Sequence, residues 1–269
     1  MGYATPACRP WTHLFLVLTT VSLQVLTNLS NELGDHLSGV DSEGREGPNY
    51  GMTDGGLTVK QMWGAINGTV VACCVFGLLM VLLSGCPWWV LLLGAAAIWA
   101  ATHYTLGKNP YGYIGLGDLF VFIFFGLVSV LGSYFVIAHA LPLKIWLWAP
   151  AVGVGLLSVA VLNVNNIRDM QSDEGVRKTI PLRIGAIPAK IYQTLLVVFG
   201  VACFMWNEEH LAFCAITTPL FVWHIIGVWR RKGKRLDPML PLLVISTFVL
   251  ALIYGEVYNI EATCPYPIW

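Results

Sequence analysis

The sequence predicts an all-α fold, a polytopic transmembrane helical bundle of about eight spans, and three observations carry that prediction. Hydrophobic residues make up 57% of the chain and charged residues only 11%, where a soluble domain carries roughly 25% charged residues. Mean hydropathy is +0.69. The apolar residues gather into runs close to the roughly 20 residues a helix needs to cross a bilayer, and the charges gather between the runs.

In chain order the runs are 12–32, 60–83, 87–106, 118–139, 145–166, 188–206, 210–229 and 239–259, within one integral-membrane domain over 1–269. The first has Arg9 ahead of it, as a secretory leader would, but no small-x-small cleavage pattern follows Leu29 and cleavage there would damage an acidic cluster, so it is expected to stay as a span. Tryptophans mark the ends of the others, as amphipathic rings do at a membrane interface: Trp63 for the second, Trp88 and Trp89 for the third, Trp146 and Trp148 for the fifth, Trp206 for the sixth and Trp229 for the seventh. The fourth starts at Asp118, and the eighth follows the basic run Arg230-Arg231-Lys232-Gly233-Lys234-Arg235, which reads as a topology signal at the headgroups. The seven cysteines show no CxxC spacing and read as packing residues.

The net charge of zero hides an asymmetry. Strict alternation puts the loops 33–59, 107–117, 167–187 and 230–238 on one side, and with them every Lys and Arg except Arg9 and Lys144. Cytoplasmic loops hold the excess of Lys and Arg, so this side is expected to face the cytoplasm and the chain to sit in the cell (inner) membrane. The carboxylates Glu32, Asp35, Asp41, Asp118, Asp169, Asp173 and Asp237 share that side, and only Glu208, Glu209, Glu256 and Glu261 fall on the other. A carboxylate at mid-helix costs about 2.5 to 3.5 kcal/mol, and the spans avoid it. Chemistry is therefore expected at one membrane surface.

Two segments carry that chemistry. After the fifth run comes NNIRDMQSDEGVRK (165–178), and after the first comes NLSNELGDHLSGVD (28–41). On a helix, Asp169 and Asp173 share a face, as do Asn28, Asn31 and Asp35, and two carboxylates so placed repel each other unless a divalent cation lies between them. All-oxygen ligands suit Mg²⁺, which keeps waters and shares its shell with substrate phosphates. Arg168, Arg177, Lys178 and Arg183 beside the second cluster suit phosphate oxygens. The Gly-rich stretch 44–56, with Arg45, is expected to fold over a phosphate, although it lacks the GxxxxGK[ST] pattern of a nucleotide loop. Lys108, Tyr111, Tyr113 and Asp118 in KNPYGYIGLGD are expected to complete a lid.

These segments, in this order and spacing over roughly residues 10 to 260, resemble the UbiA superfamily of membrane prenyltransferases, and within it the menaquinone branch, which acts on 1,4-dihydroxy-2-naphthoate. The resemblance implies a helical membrane fold with a central cavity and two Asp-rich motifs that bind Mg²⁺ and a polyprenyl diphosphate. It places the first motif on Asn31 and Asp35, with Asn28 and Asp41, and the second on Asn166, Asp169 and Asp173. Arg168, Arg177 and Lys178 become phosphate contacts, with Arg45, Lys108 and Tyr111 as further substrate-binding residues. Asp35, Asp169 and Asp173 become the catalytic carboxylates; Asn31, Asp35, Asp41, Asp169 and Asp173 become the metal ligands.

The implied activity is transfer of a polyprenyl group to the naphthoate with loss of the ring carboxylate. The implied partners are the two substrates and the lipid bilayer, with no nucleic acid and no obligate protein partner. Two departures stand out. Glu32 replaces the usual Asp, and the chain enters the motif-bearing helix directly after Met1 to Pro10, so the family's usual first of nine spans is expected to be missing. A transporter would place ionisable residues along a midplane path, and the runs hold almost none. A UbiA-type enzyme with another acceptor, such as 4-hydroxybenzoate, stays open because the motifs read the donor. His36 and His103 read as structural or as aids to proton transfer, and Tyr134, Tyr192 and Tyr254 as cavity-lining or packing residues.

Overall fold

A computed structural model describes residues 10–39, 52, 56–141, 148–205 and 208–263, with the backbone alone for 208–213 and 256–263. Each predicted run forms a helix: α1 (Pro10–Ser38), α2 (Val59–Ser84), α3 (Val90–His103), α4 (Gly117–Ala138), α5 (Ala149–Arg168), α7 (Ala186–Ala202), α8 (Glu208–Arg230) and α9 (Met239–Thr263). A short helix, α6 (Ile180–Ile184), and a 3₁₀ turn at Gly233–Leu236 lie between them. No strand occurs among the described residues.

Two boundaries differ from the sequence expectation in ways that shape the site. Helix α1 runs on to Ser38, so residues 28–38 of the first acidic segment lie on regular helix rather than in a loop opening at 33. Helix α5, by contrast, stops at Arg168. Asp169 is its C-cap, and the segment beyond continues as turns held by Asp173 N–H to Asp169 C=O and Arg177 N–H to Asp173 C=O, at 2.9 and 3.0 Å. Asp169 and Asp173 therefore do not stand together on one regular helical face.

Helices α3 and α7, of 14 and 17 residues, rise only about 21 and 25 Å, short of the hydrocarbon core's roughly 30 Å. For α3 the cause lies in the following loop, which folds back so that Tyr111 and Gly112 N–H groups bond the carbonyls of His103 and Tyr104. Its return makes α3 shorter and gives the site a wall.

Helix α5 is the most enclosed of the apolar helices and packs on α4, α7 and α9. Small residues allow the close approach, since packing in a bilayer relies on van der Waals contact where small side chains let backbones meet. A Cβ at Gly126 of α4 would lie 2.6 Å from Gly155 Cα, and one at Gly153 would lie 2.8 Å from Gly200 C=O of α7. Around Gly126, residues Phe122–Val128 form a π-helical segment that hydropathy could not reveal. Helix α1 packs chiefly on α2, with Leu26, Leu33, Met62, Ile66 and Cys73 in a second core.

Candidate active site

One end of the bundle collects the last turns of α1, the 104–116 loop, the 168–179 segment and the 233–237 turn. Contacts tie all four together. Ser38 Oγ lies 2.8 Å from Tyr113 Oη, Arg177 joins Asp35, and Arg168 Nη1 donates to Asp237 Oδ1 at 3.0 Å. The chemistry-bearing loops predicted to share one side of the membrane do share one end of the molecule.

Helix α1 can carry Asp35 into the centre because Gly34, beside it, meets the 104–116 loop with no side chain between. A Cβ on Gly34 would fall 2.5 Å from Thr105 Cβ. Thr105 in turn donates to Ser30 C=O at 2.8 Å and to Asn31 Oδ1 at 3.3 Å, fixing the amide of the first motif. Asp35 is buried and bonded through Oδ1 to Arg177 Nη2 and to the Tyr113 hydroxyl, the latter at 3.2 Å.

Arg177 also faces Asp173 Oδ1 at 3.6 Å through Nε and lies over the Tyr113 ring, 4.8 Å from its centroid. One guanidinium thus joins carboxylates separated by well over a hundred residues of chain. Burial works against its charge, yet Asp35 and Asp173 more than offset this and raise its pKa above the ordinary range. The Tyr113 hydroxyl is also pushed up, first by burial and then by Asp35, with Ser38 and Arg177 opposing, so it stays a donor at neutral pH.

Arg168 and Asp169 form a second unit. Nε and Nη2 of Arg168 donate to the two oxygens of Asp169, both at 2.7 Å, Nη2 also reaches Asn165 Oδ1 at 2.6 Å, and Nη1 reaches Asp237. Every nitrogen of the guanidinium is occupied and the residue is buried. Arg168 therefore braces Asp169, rather than standing ready for phosphate as its position in the sequence suggested. Tyr111 differs likewise: its hydroxyl donates to Ala100 C=O at 2.7 Å and its ring stacks on Phe120, with centroids 4.0 Å apart. It holds the loop to α3 and α4, and Tyr113 is the phenol that reaches the carboxylates.

Of the remaining predicted residues, Asn166 is buried at the end of α5. Asn28 is exposed and accepts from Gln24, at 3.2 Å. Lys108 and Lys178 are exposed at the rim, Lys178 with its N–H on Tyr113 C=O. Asp41 and Arg45 lie outside the described residues. Glu32 uses its longer arm to accept the Met52 N–H at 2.8 Å, tying a buried methionine to α1.

Sequence reasoning passed over Tyr104. Its phenol is buried within electrostatic reach of Arg177, Asp118, Asp35 and Asp173, and its ring occupies the space a Cβ on Gly117 would need. The signal available was only its proximity to the KNPYGY loop.

The oxygen donors Asn31, Asp35, Asn166, Asp169 and Asp173 suit Mg²⁺ in kind. No three His, Cys, Asp or Glu side chains among the described residues form a closed cage. Mg²⁺ at such donors is usually completed by water and substrate phosphates. Arg177, seated between Asp35 and Asp173, marks where the site favours positive charge.

The model of the UbiA prenyltransferase family matches residues 1–244. The chain is 42% identical to the 1,4-dihydroxy-2-naphthoate octaprenyltransferase of Escherichia coli over 200 residues, which are 72% of this chain and 64% of that protein, slightly under two thirds of its length. Identity to the Haemophilus influenzae protein of the same name is 37% over 261 residues, 89% of this chain and 83% of that one. In three dimensions the fold is similar to a UbiA homolog from Aeropyrum pernix, with TM-score 0.70 at 15% identity over 93% of this chain and 90% of the other. It is also similar to a UbiA homolog from Archaeoglobus fulgidus bound to DMAPP and Mg²⁺, with TM-score 0.64 at 15% identity over 97% and 91%. The chain belongs to the UbiA prenyltransferase family.

Proposed function

We propose that this protein transfers a polyprenyl group from polyprenyl diphosphate to 1,4-dihydroxy-2-naphthoate, with loss of the ring carboxylate, giving demethylmenaquinol for menaquinone biosynthesis. The observation that carries the reading is the meeting of Asp35 and Asp173, from the two ends of the motif pattern, on Arg177 at one end of an apolar bundle. Two relatives named 1,4-dihydroxy-2-naphthoate octaprenyltransferase, 42% and 37% identical over 72% and 89% of this chain, support it.

Asp35 and Asp173, with Asn31, Asn166 and the braced Asp169, would hold Mg²⁺; each Asp169 oxygen keeps a second acceptor site beside its bond to Arg168. The chemistry the bound metal supplies is neutralisation of charge on the diphosphate as the allylic C–O bond breaks. Arg177 exchanges its carboxylates for nonbridging phosphate oxygens, and Lys178 and Lys108 close on the diphosphate from the rim, so charge developing on the leaving group meets fixed cations. Tyr113 keeps Asp35 aimed by its hydroxyl. The site faces the cytoplasm of an inner-membrane protein, on the side that holds the basic loops.

The direct test is product formation by the purified protein from a polyprenyl diphosphate and 1,4-dihydroxy-2-naphthoate, with Mg²⁺ and with chelator, beside Asp173→Asn. Product that requires the metal and falls at least about 100-fold in the variant supports the reading. Metal-independent product argues against the assigned ligands, and product only with 4-hydroxybenzoate moves the acceptor.

A further inference from the structure

We infer that Asp118, held by Tyr192, is the general base that takes the phenolic proton of the aromatic acceptor, and that the apolar slot beside it seats the acceptor ring. This rests on the proposed aromatic prenyl transfer. The slot, of about 240 Å³, is lined by Leu119, Phe122, Leu156, Val159 and Leu196, with Asp118 and Tyr192 as its polar members. Apolar walls with few convergent polar groups describe a site for a small hydrophobic ligand. A hydroxylated bicyclic ring matches its volume and chemistry.

The placement of Asp118 distinguishes it from the other carboxylates at this end of the bundle. Asp35, Asp169, Asp173 and Asp237 each pair with Arg168 or Arg177, whereas Asp118 forms no ion pair among the described residues. Its Oδ2 accepts from the Tyr192 hydroxyl at 3.0 Å, which orients the carboxylate from α7 while leaving acceptor capacity for a substrate hydroxyl. An unpaired carboxylate in an apolar slot is a better proton acceptor than one held by guanidinium, because no cation stabilises its charge. A Cβ on Gly115 would fall 2.6 Å from Lys178 C=O and one on Gly117 3.2 Å from the Tyr104 ring, so the chain that leads into Asp118 runs against the segment that carries Arg177. The π-helical segment that starts at Phe122 supplies part of the slot, and such segments recur at functional sites.

The step balances within the proposed reaction. Asp118 takes the proton from the ring hydroxyl as the C–C bond to the prenyl carbon forms and the allylic C–O bond breaks, releasing diphosphate. Loss of CO₂ from the same ring carbon returns its electron pair to the ring, and the oxygen recovers the proton from Asp118. The carboxylate ends as it began.

Asp118→Asn keeps the shape and removes the base. Expected in the purified enzyme are a kcat about 100-fold lower or more, the contribution of a positioned base, loss of the acid limb of the pH–rate profile, and prenyl diphosphate binding within about threefold of wild type. Tyr192→Phe, a positioning change, is expected to lower kcat about tenfold, one hydrogen bond's worth, while keeping the acid limb. Wild-type turnover with an Asp118→Asn enzyme that keeps its rate or its pH profile overturns the inference and leaves the function standing. Loss of donor binding in Asp118→Asn makes the residue structural and also overturns it. No turnover of naphthoate or any other phenolic acceptor by the wild type ends both.

Discussion

Arg177 is the residue on which the two acidic segments depend for their mutual geometry. Arg177→Ala leaves Asp35 and Asp173 buried without the shared cation, and breaking a buried pair from one side costs about 3 to 5 kcal/mol. A fall in melting temperature in detergent is expected, partly restored by millimolar Mg²⁺ with inorganic diphosphate, whose charge replaces the guanidinium; a fall that these ions do not touch would remove the metal from this position. Arg168 works differently. Its fork holds both oxygens of Asp169 while a third nitrogen reaches Asp237, geometry that an ammonium cannot reproduce. Arg168→Lys is therefore expected to preserve charge but lose at least about tenfold in kcat, measured beside Lys178→Arg at the exposed rim, which is expected to stay within about threefold.

At the scale of elements, the α4–α5 crossing sets where Asp118 and the end of α5 stand relative to each other, and two glycines of one helix should respond in opposite senses. Gly126→Ala would put a methyl 2.6 Å from Gly155 Cα and 2.7 Å from Ala151 C=O, backbone atoms that cannot rotate away, so overpacking of about 1 to 3 kcal/mol is expected. Gly132→Ala meets nothing within 4 Å and should stabilise α4 by up to about 1 kcal/mol through helix propensity. Thermal unfolding of the two variants checks the contrast. The helices themselves were legible because each run's length, and for five of the eight a flanking tryptophan, read directly from the sequence. The end of α5 was not. Periodicity says that Asp169 and Asp173 share a face, but Arg168 draws Asp169 toward Asp237 at the point where the helix terminates, and that choice depends on residues far along the chain. For the same reason Tyr111 and Tyr113 were indistinguishable in the sequence: one is spent on Ala100 C=O and the other on Asp35.

For the molecule as a whole, the electrostatic pattern predicts where the site sits in the membrane. The turns that meet at Arg177 and Arg168 also include the basic stretch after α8, since Lys190 at the start of α7 donates to the carbonyls of Trp229 and Arg231 at 3.2 and 2.9 Å. One end of the bundle therefore gathers the acidic site and most of the cations, while the α4 turn at His139 to Leu141 marks the other end. The excess of Lys and Arg should hold the first end in the cytoplasm. In a background with the native cysteines replaced, Ser38→Cys at the end of α1 and His139→Cys at the α4 turn, both exposed, report the two ends. A membrane-impermeant thiol reagent applied to intact cells should label position 139 and spare position 38, and inverted vesicles should reverse the pattern. Labelling of position 38 from outside would place the acidic site on the wrong side of the membrane for a cytoplasmic acceptor. The loop charges would then be read as attraction to phosphate at the site itself, because the same cations serve orientation and substrate binding and only sidedness separates the two roles.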